Sequence, residues 1–171
     1  MDEADRAVAV AAVKDLLRVG SAAEDGLIGA LVGEAFDLAE RFTGQVLIER
    51  VVTERIAADG AWRRLMATPV RAISGVSAGG VALSADAYAV DIDGDGEGWV
   101  RVNGAARVVT VVLVAGLAGT WSDLPSAIQG GIVRLAAFRF DARDGGEAAP
   151  AAVSALWRPY RRLRLVEGRR A

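Results

Sequence analysis

Apolar positions along the chain recur at two different periods, and the two periods fall in different stretches. From Val8 to Val19, Val10, Val13, Leu16 and Leu17 lie on one side of a short helix, and Gly20 suits its end. A second helix is expected over residues 22–43, with Leu27, Ile28, Leu31, Ala35, Leu38 and Phe42 as its apolar stripe. Ser21 with Glu24 three residues later matches a capping box. The pair makes an αα-hairpin. From Val46 the period shortens. Leu47, Val51 and Ile56 alternate imperfectly with Glu49, Arg50, Thr53 and Glu54, and short strands follow over residues 61–67, 70–76, 81–83 and 87–92. Trp99 to Val102 is expected to pair with Tyr88 to Ile92 across a turn, and Asn103-Gly104 is another hairpin signal.

The run Val108-Val109-Thr110-Val111-Val112-Leu113-Val114 is β-branched and reads as a strand buried on both faces. It ends at Ala115-Gly116, where glycine allows a sharp change of direction. A long helix is then expected over residues 123–142. Ser122 or Asp123 would be its cap, and Leu124, Ile128, Ile132, Leu135 and Phe138 its buried stripe. Gly130-Gly131 inside it costs roughly 1 kcal/mol each against alanine, which fits either a close approach, by the second helix or a neighbouring subunit, or a simple local kink. Residues 150–158 make a last helix with Val153, Leu156 and Trp157. The fold class expected is α+β: mainly a helical bundle, with an inserted small antiparallel β module over about 46–114 and an extended C-terminal tail. Residues 1–160 are expected to form a single domain, and 161–171 a basic tail.

Composition removes several chemistries. The 171 residues contain no cysteine and no histidine. Disulfides, thiolate or imidazole metal ligands, cysteine nucleophiles and a Ser-His-Asp triad are all excluded. No nucleophile, base and orienting group fall together, so the expectation is a protein that is not an enzyme, with no catalytic residue, no cofactor and no metal. The start is acidic, unlike a secretory signal. The longest apolar run is shorter than the ~20 residues a spanning helix needs, so the chain is expected off the membrane and in the cytoplasm.

Charge is uneven. The formal net charge is −2. Residues 1–60 carry 6 basic and 12 acidic side chains, while residues 134–171 carry 9 and 4. Such a chain can pair head to tail with its own copies or touch nucleic acid through its tail. The tail alternates arginine with apolar residues over Arg162 to Val166 and is expected to dock on a partner, with a disordered or self-packed end as the alternative. Asp91-Ile92-Asp93-Gly94-Asp95-Gly96 begins like a calcium loop, with acids at positions 1, 3 and 5 and glycine at 6. Position 12 is then Val102 where a glutamate is needed, and the flanks look like strands. Glycine and aspartate are also what a hairpin turn prefers. Two alternatives remain open on the residues: a small ligand- or calcium-binding module using Asp91 to Glu97, and a nucleic-acid binder using the arginine tail.

Several stretches, in order, resemble the head–tail connector (adaptor) proteins of long-tailed bacteriophages and gene transfer agents. They are Val13-Lys14-Asp15-Leu16-Leu17-Arg18, the run from Ala23-Glu24-Asp25 to Phe42-Thr43-Gly44-Gln45, Thr68-Pro69-Val70-Arg71, Ala87-Tyr88-Ala89-Val90-Asp91, Val111 to Gly116 with Asp123-Leu124-Pro125, and Ala155-Leu156-Trp157-Arg158-Pro159-Tyr160-Arg161. The resemblance spans about residues 8–165 and departs in the glycine-rich Asp91 to Gly98 turn and at Gly130-Gly131. It implies a structural protein of the particle neck, assembled in the bacterial cytoplasm. Such a protein forms a ring, usually of twelve copies, docked under the portal. The ring extends the DNA channel without binding DNA specifically and joins the head to stopper or tail-completion proteins. The residues expected to meet the portal or a neighbouring subunit are Trp157, Arg158, Tyr160, Arg161, Arg162 and Arg164.

Overall fold

The computed structural model describes residues 1–104, 106–142 and 150–162. They divide into two compact units, one built from residues 1–44 and from 124 onward, the other from 45–123. This overturns the expectation of a mainly helical bundle with a small β insert. The described residues are α+β, with four α-helices and seven strands in two antiparallel sheets; 43% of them are helical and 27% are strand. The middle of the chain is no appendage because it buries its own core. Leu65, Val70, Val100, Val109, Val111 and Leu113 are all buried in one β cluster.

In the helical unit, α1 (Glu3–Leu17) starts before the apolar spacing begins, because Asp2 caps it. The Asp2 carboxylate accepts from the Asp5 amide at 2.8 Å, and Glu3 and Asp5 suit the positive end of the helix. The helix ends at Arg18, whose φ is +57°, two residues before Gly20. Helix α2 (Asp25–Thr43) has no side-chain cap: Ser21 accepts from the Ala23 amide instead of capping the helix. Its buried face is Ile28, Val32, Ala35, Phe36 and Ala39, while Leu27 is 43% exposed. The buried stripe is therefore turned relative to the expected one, since α2 packs against both α1 and α3. Helix α3 (Ser126–Asp141) follows Pro125, and neither Ser122 nor Asp123 caps it; Trp121–Asp123 form a short 3₁₀ turn. Helix α4 (Ala151–Trp157) packs on α3.

In the β unit, β1 (Arg50–Ala57), β7 (Val108–Ala115), β3 (Val70–Ala78) and β4 (Val81–Ala82) lie side by side in that order. The second sheet runs β2 (Arg63–Arg64), β6 (Gly98–Val102), β5 (Tyr88–Ile92). Strand β7 is central, but only one of its faces is fully buried. Val109, Val111, Leu113 and Ala115 point to the core, and the intervening residues are half-buried or exposed. Both its edges are paired, to β1 and β3, but its second face is only partly covered, contrary to the expectation drawn from its apolar, β-branched sequence. Just past it, a Cβ on Gly116 would lie 2.3 Å from the Glu49 Cα, so only glycine lets the two backbones cross.

Candidate functional site

The C-terminal arm of the helical unit holds most of the residues expected to meet a partner. Trp157 is 2% exposed. Its indole Nε1–H donates to the Ile128 carbonyl at 3.3 Å, and its ring meets that of Phe42 at 5.9 Å and 56°. The Gly130-Gly131 pair is explained here. A Cβ on Gly131 would stand 2.2 Å from Trp157 Nε1, so α3 needs glycine to admit the indole. Gly130 faces no comparable constraint; the nearest atom to its would-be Cβ is on Arg134, at 3.4 Å. Trp157 is thus an anchor inside the unit rather than a surface residue.

From that anchor the chain runs along the end of α2. Residues 158–160 form a 3₁₀ turn. The Arg161 guanidinium sits over the Phe42 ring at 5.6 Å, and the Arg162 amide donates to the Thr43 carbonyl at 2.8 Å. Gly44, with φ +68°, lies close beneath the Arg162 carbonyl. Cations at a helix C-terminus also favour the dipole there. Arg158 and Arg161 are exposed, and Tyr160 and Arg162 are half-buried. These four and Trp157 are brought together; Arg164 lies outside the described residues.

The acidic turn between β5 and β6 is built as a turn. Asp93 Oδ1 accepts from the amides of Asp95 and Glu97, both at 2.9 Å, and Gly96 takes φ +76°. Glu97 holds Arg64 through both carboxylate oxygens, at 3.0 and 3.3 Å. The Gly96 carbonyl accepts from the Val70 amide at 2.7 Å. Asp93 and Glu97 are therefore spent on the loop and its sheet. Among the described residues no group of three or more acidic side chains is placed to hold a metal ion. Also among them, no helix is long and apolar enough to cross a membrane.

A second cationic feature lies on the small sheet. Val100 and Val102 of β6 point into the core, so Trp99 and Arg101 point the other way. The Arg101 guanidinium lies over the Trp62 ring at 5.1 Å, and Trp62 is 41% exposed. Arg101 Nε is buried with no hydrogen-bond partner. Nearby Arg63 is held by Asp59, whose carboxyl sits below the usual range chiefly because of that side-chain hydrogen bond. Sequence reasoning missed this pair. The available signal was a Trp62-Arg63-Arg64 run facing a strand that alternates Trp99, Val100, Arg101, Val102.

No family model matches the chain, and no curated protein matches its sequence. Solved structures do match. A chain in the neck of an empty gene transfer agent (GTA) particle, determined with C6 symmetry, is 26% identical with a TM-score of 0.76, covering 94% of this chain and 92% of that one. A chain in the virion of a native gene transfer agent particle is 25% identical at 0.72, again over 94% and 92%. A third, from the neck of a native GTA particle determined with C12 symmetry, is 23% identical at 0.76 over 99% and 96%, and shares the fold. Over nearly its whole length, then, this chain is similar to proteins of gene transfer agent particles, among them a protein of the particle neck.

Proposed function

We propose that the protein is a structural component of the neck of a phage-like particle, a head–tail connector that acts as a ring of copies under the portal. The observation that carries this is the match to a neck chain at 26% identity across almost the full length of both chains. A match that complete leaves little of either chain over for a different task. The six-fold symmetry of that neck supports a multi-copy ring, with which twelve copies are compatible. The role is scaffolding rather than catalysis, and DNA passes through the lumen without a specific site.

The arm is the proposed contact with the portal or a neighbouring subunit. Arg158, Tyr160, Arg161, Arg162 and Arg164 carry it, and Trp157 fixes the start of the arm to α3. Native mass measured against concentration, with and without the cognate portal, tests the function. A closed ring, alone or on the portal, is the expected result; a monomer that ignores the portal overturns it. Replacing Arg161, Arg162 and Arg164 together by glutamate is expected to abolish portal binding, and unchanged binding removes the arm from the contact.

A further inference from the structure

Two strand edges of the β unit are open, and the phase of the hydrogen bonds shows which groups they present. In the small sheet the Asp93 amide donates to the Glu97 carbonyl at 3.1 Å, and the Asn103 amide to the Ala87 carbonyl at 3.0 Å. Bonded pairs alternate along an antiparallel ladder, so between those two the bonded pairs are Ala89–Arg101 and Asp91–Trp99. The backbone groups of Val90 and Ile92 therefore point away from β6, on a strand that ends its sheet. Strand β1 is open in the same way. The Ala58 amide donates to the Arg107 carbonyl at 2.9 Å, so Glu54 and Ile56 bond to β7, while Thr53 and Arg55 turn their backbone groups outward. This strand also ends its sheet. Among the described residues none of these outward groups has a hydrogen-bond partner.

Neither edge is guarded as the edges of monomeric sheets are. Both strands lack proline and lysine, and both registers run without a bulge. Apolar side chains stand open at each: Val51 is 68% exposed, Val90 44% and Ile92 38%. Each strand also carries one exposed charge with no partner among the described residues. On β1 it is Arg55, since Glu54 accepts from the Met66 and Ala67 amides and Arg50 is engaged elsewhere. On β5 it is Asp91.

We propose that β1 of one copy adds in parallel to β5 of the next copy, with Arg55 opposite Asp91, so that strands pair from copy to copy. Charge complementarity selects the occupant. Pairing β1 with β1, or β5 with β5, gathers charges of one sign, whereas β1 with β5 joins a cation to an anion. It also selects the direction. In a parallel pair a residue whose backbone bonds outward lies opposite one whose backbone bonds inward, so Arg55 and Asp91 share a face. Antiparallel pairing sets Arg55 beside Val90 or Ile92 instead, and puts Asp91 on the face that carries Glu54. The parallel register also sets Ile56 beside Ile92 and Thr53 beside Ala89. Main-chain bonds supply affinity in such strand addition, and side chains fix the register. Two different edges of one unit make a heterologous contact, the kind from which a ring closes. This inference rests on the ring reading above and names the strands that build it.

The test is native mass across concentration at fixed salt, in solution and on the cognate portal. It compares the full chain with Val90→Pro, Arg55→Glu, Asp91→Arg and the double charge variant. Proline at position 90 removes an amide that β6 does not use, so the β5–β6 ladder is kept. Circular dichroism checks each fold, and the charge variants decide the matter if Val90→Pro does not fold. Each single change is expected to raise the concentration for half-assembly by about tenfold or more. The double charge variant, which restores opposite charges across the contact, is expected to recover most of that loss. Hydrogen exchange reads the edge directly: the Val90 and Ile92 amides should exchange fast in the single copy and slowly in the assembly. If the native chain assembles and these amides stay fast, or folded Val90→Pro or Arg55→Glu assembles equally well, the contact is wrong while the neck reading stands. If both charge variants fail and the double variant does not recover, Arg55 and Asp91 do not meet and the proposal falls. If the native chain is monomeric at every concentration and on the portal, the ring reading itself fails and takes this contact with it.

Discussion

Two arginine–aromatic pairs among the described residues are finished to different degrees. Arg161 lies over Phe42 at the end of α2, and Arg101 lies over Trp62 on the small sheet. The centroid distances are similar, 5.6 and 5.1 Å. Their surroundings are not. Arg161 is exposed on an arm that is already fixed, by the Arg162 amide on Thr43 and by Trp157 sunk against Gly131. Water can complete its guanidinium. Arg101 has lost water at Nε and gained nothing in return. A stacked cation is thus no signature by itself; what separates a decorated edge from an unfinished contact is whether each donor still has an acceptor.

The largest effect should come from breaking the finished pair at its base. Trp157→Ala removes a fully buried indole and is expected to cost about 3–5 kcal/mol. Gly131→Ala drives a methyl into the same indole and should cost roughly 1–3 kcal/mol. The two share one contact, so the double variant should lose clearly less than the sum, because the cavity left by Trp157 admits the new methyl. Denaturant unfolding of the four chains measures this coupling. Strict additivity would mean that the arm is held by something other than the indole in its glycine slot.

A smaller and opposite response is expected at the unfinished pair. Arg101→Met keeps much of the stem's packing on Trp62 and deletes the orphaned donor. The cation–π term lost at a partly exposed site is about 0.5–1 kcal/mol. The desolvation relieved is of similar size or larger. Stability of the unassembled chain should therefore be unchanged or raised by up to about 1 kcal/mol, while Arg161→Ala lowers it slightly. Thermal unfolding at a concentration below assembly reads both. A clear loss in Arg101→Met would show that the arginine is already satisfied within its own copy.

How much of this was legible follows from how local each signal is. The β5–β6 hairpin is local: its two strands and the turn residues lie within fifteen consecutive residues, and the pairing of Tyr88–Ile92 with Gly98–Val102 was readable from them. The long-range pairings of β7 with β1 and β3 join segments far apart in sequence, and no periodicity announces them. That is why the β half looked like a small insert. Helix α1 was read late because its first turn is held by a cap and by charge rather than by apolar spacing. The glycine pair was legible only as a close approach or a kink, because what approaches Gly131 is Trp157, 26 residues on, and a tryptophan beside an arginine run reads as surface until its slot is known. Arg101 was illegible for the reason it is interesting. An arginine alternating with valines is an ordinary outward strand residue, and only coordinates show a donor without an acceptor.

The smallest expected effect concerns another arginine of the small sheet, Arg63, and it calibrates the two arginine–aromatic pairs. Arg63 is exposed and paired with Asp59, its Nε donating to Asp59 Oδ1 at 3.1 Å. The Arg63 hydrogen bond holds the Asp59 carboxyl below its ordinary value; burial opposes it, and the Ala61 amide and the nearby charge each add a smaller lowering effect. A lowered folded value means the folded chain prefers the ionised acid. The stability this contributes is fully present above the unfolded carboxylate value near 4 and is lost as pH falls through the lower folded value. Asp59→Asn should therefore weaken the chain slightly at neutral pH and not at all in strong acid, so that the two unfolding curves converge as pH drops below about 4. Added salt should shrink the neutral-pH difference, since both groups are open to solvent. Curves that stay apart in acid would mean that Asp59 acts through its backbone turn rather than its charge, and that Arg63 is held less firmly than its geometry says.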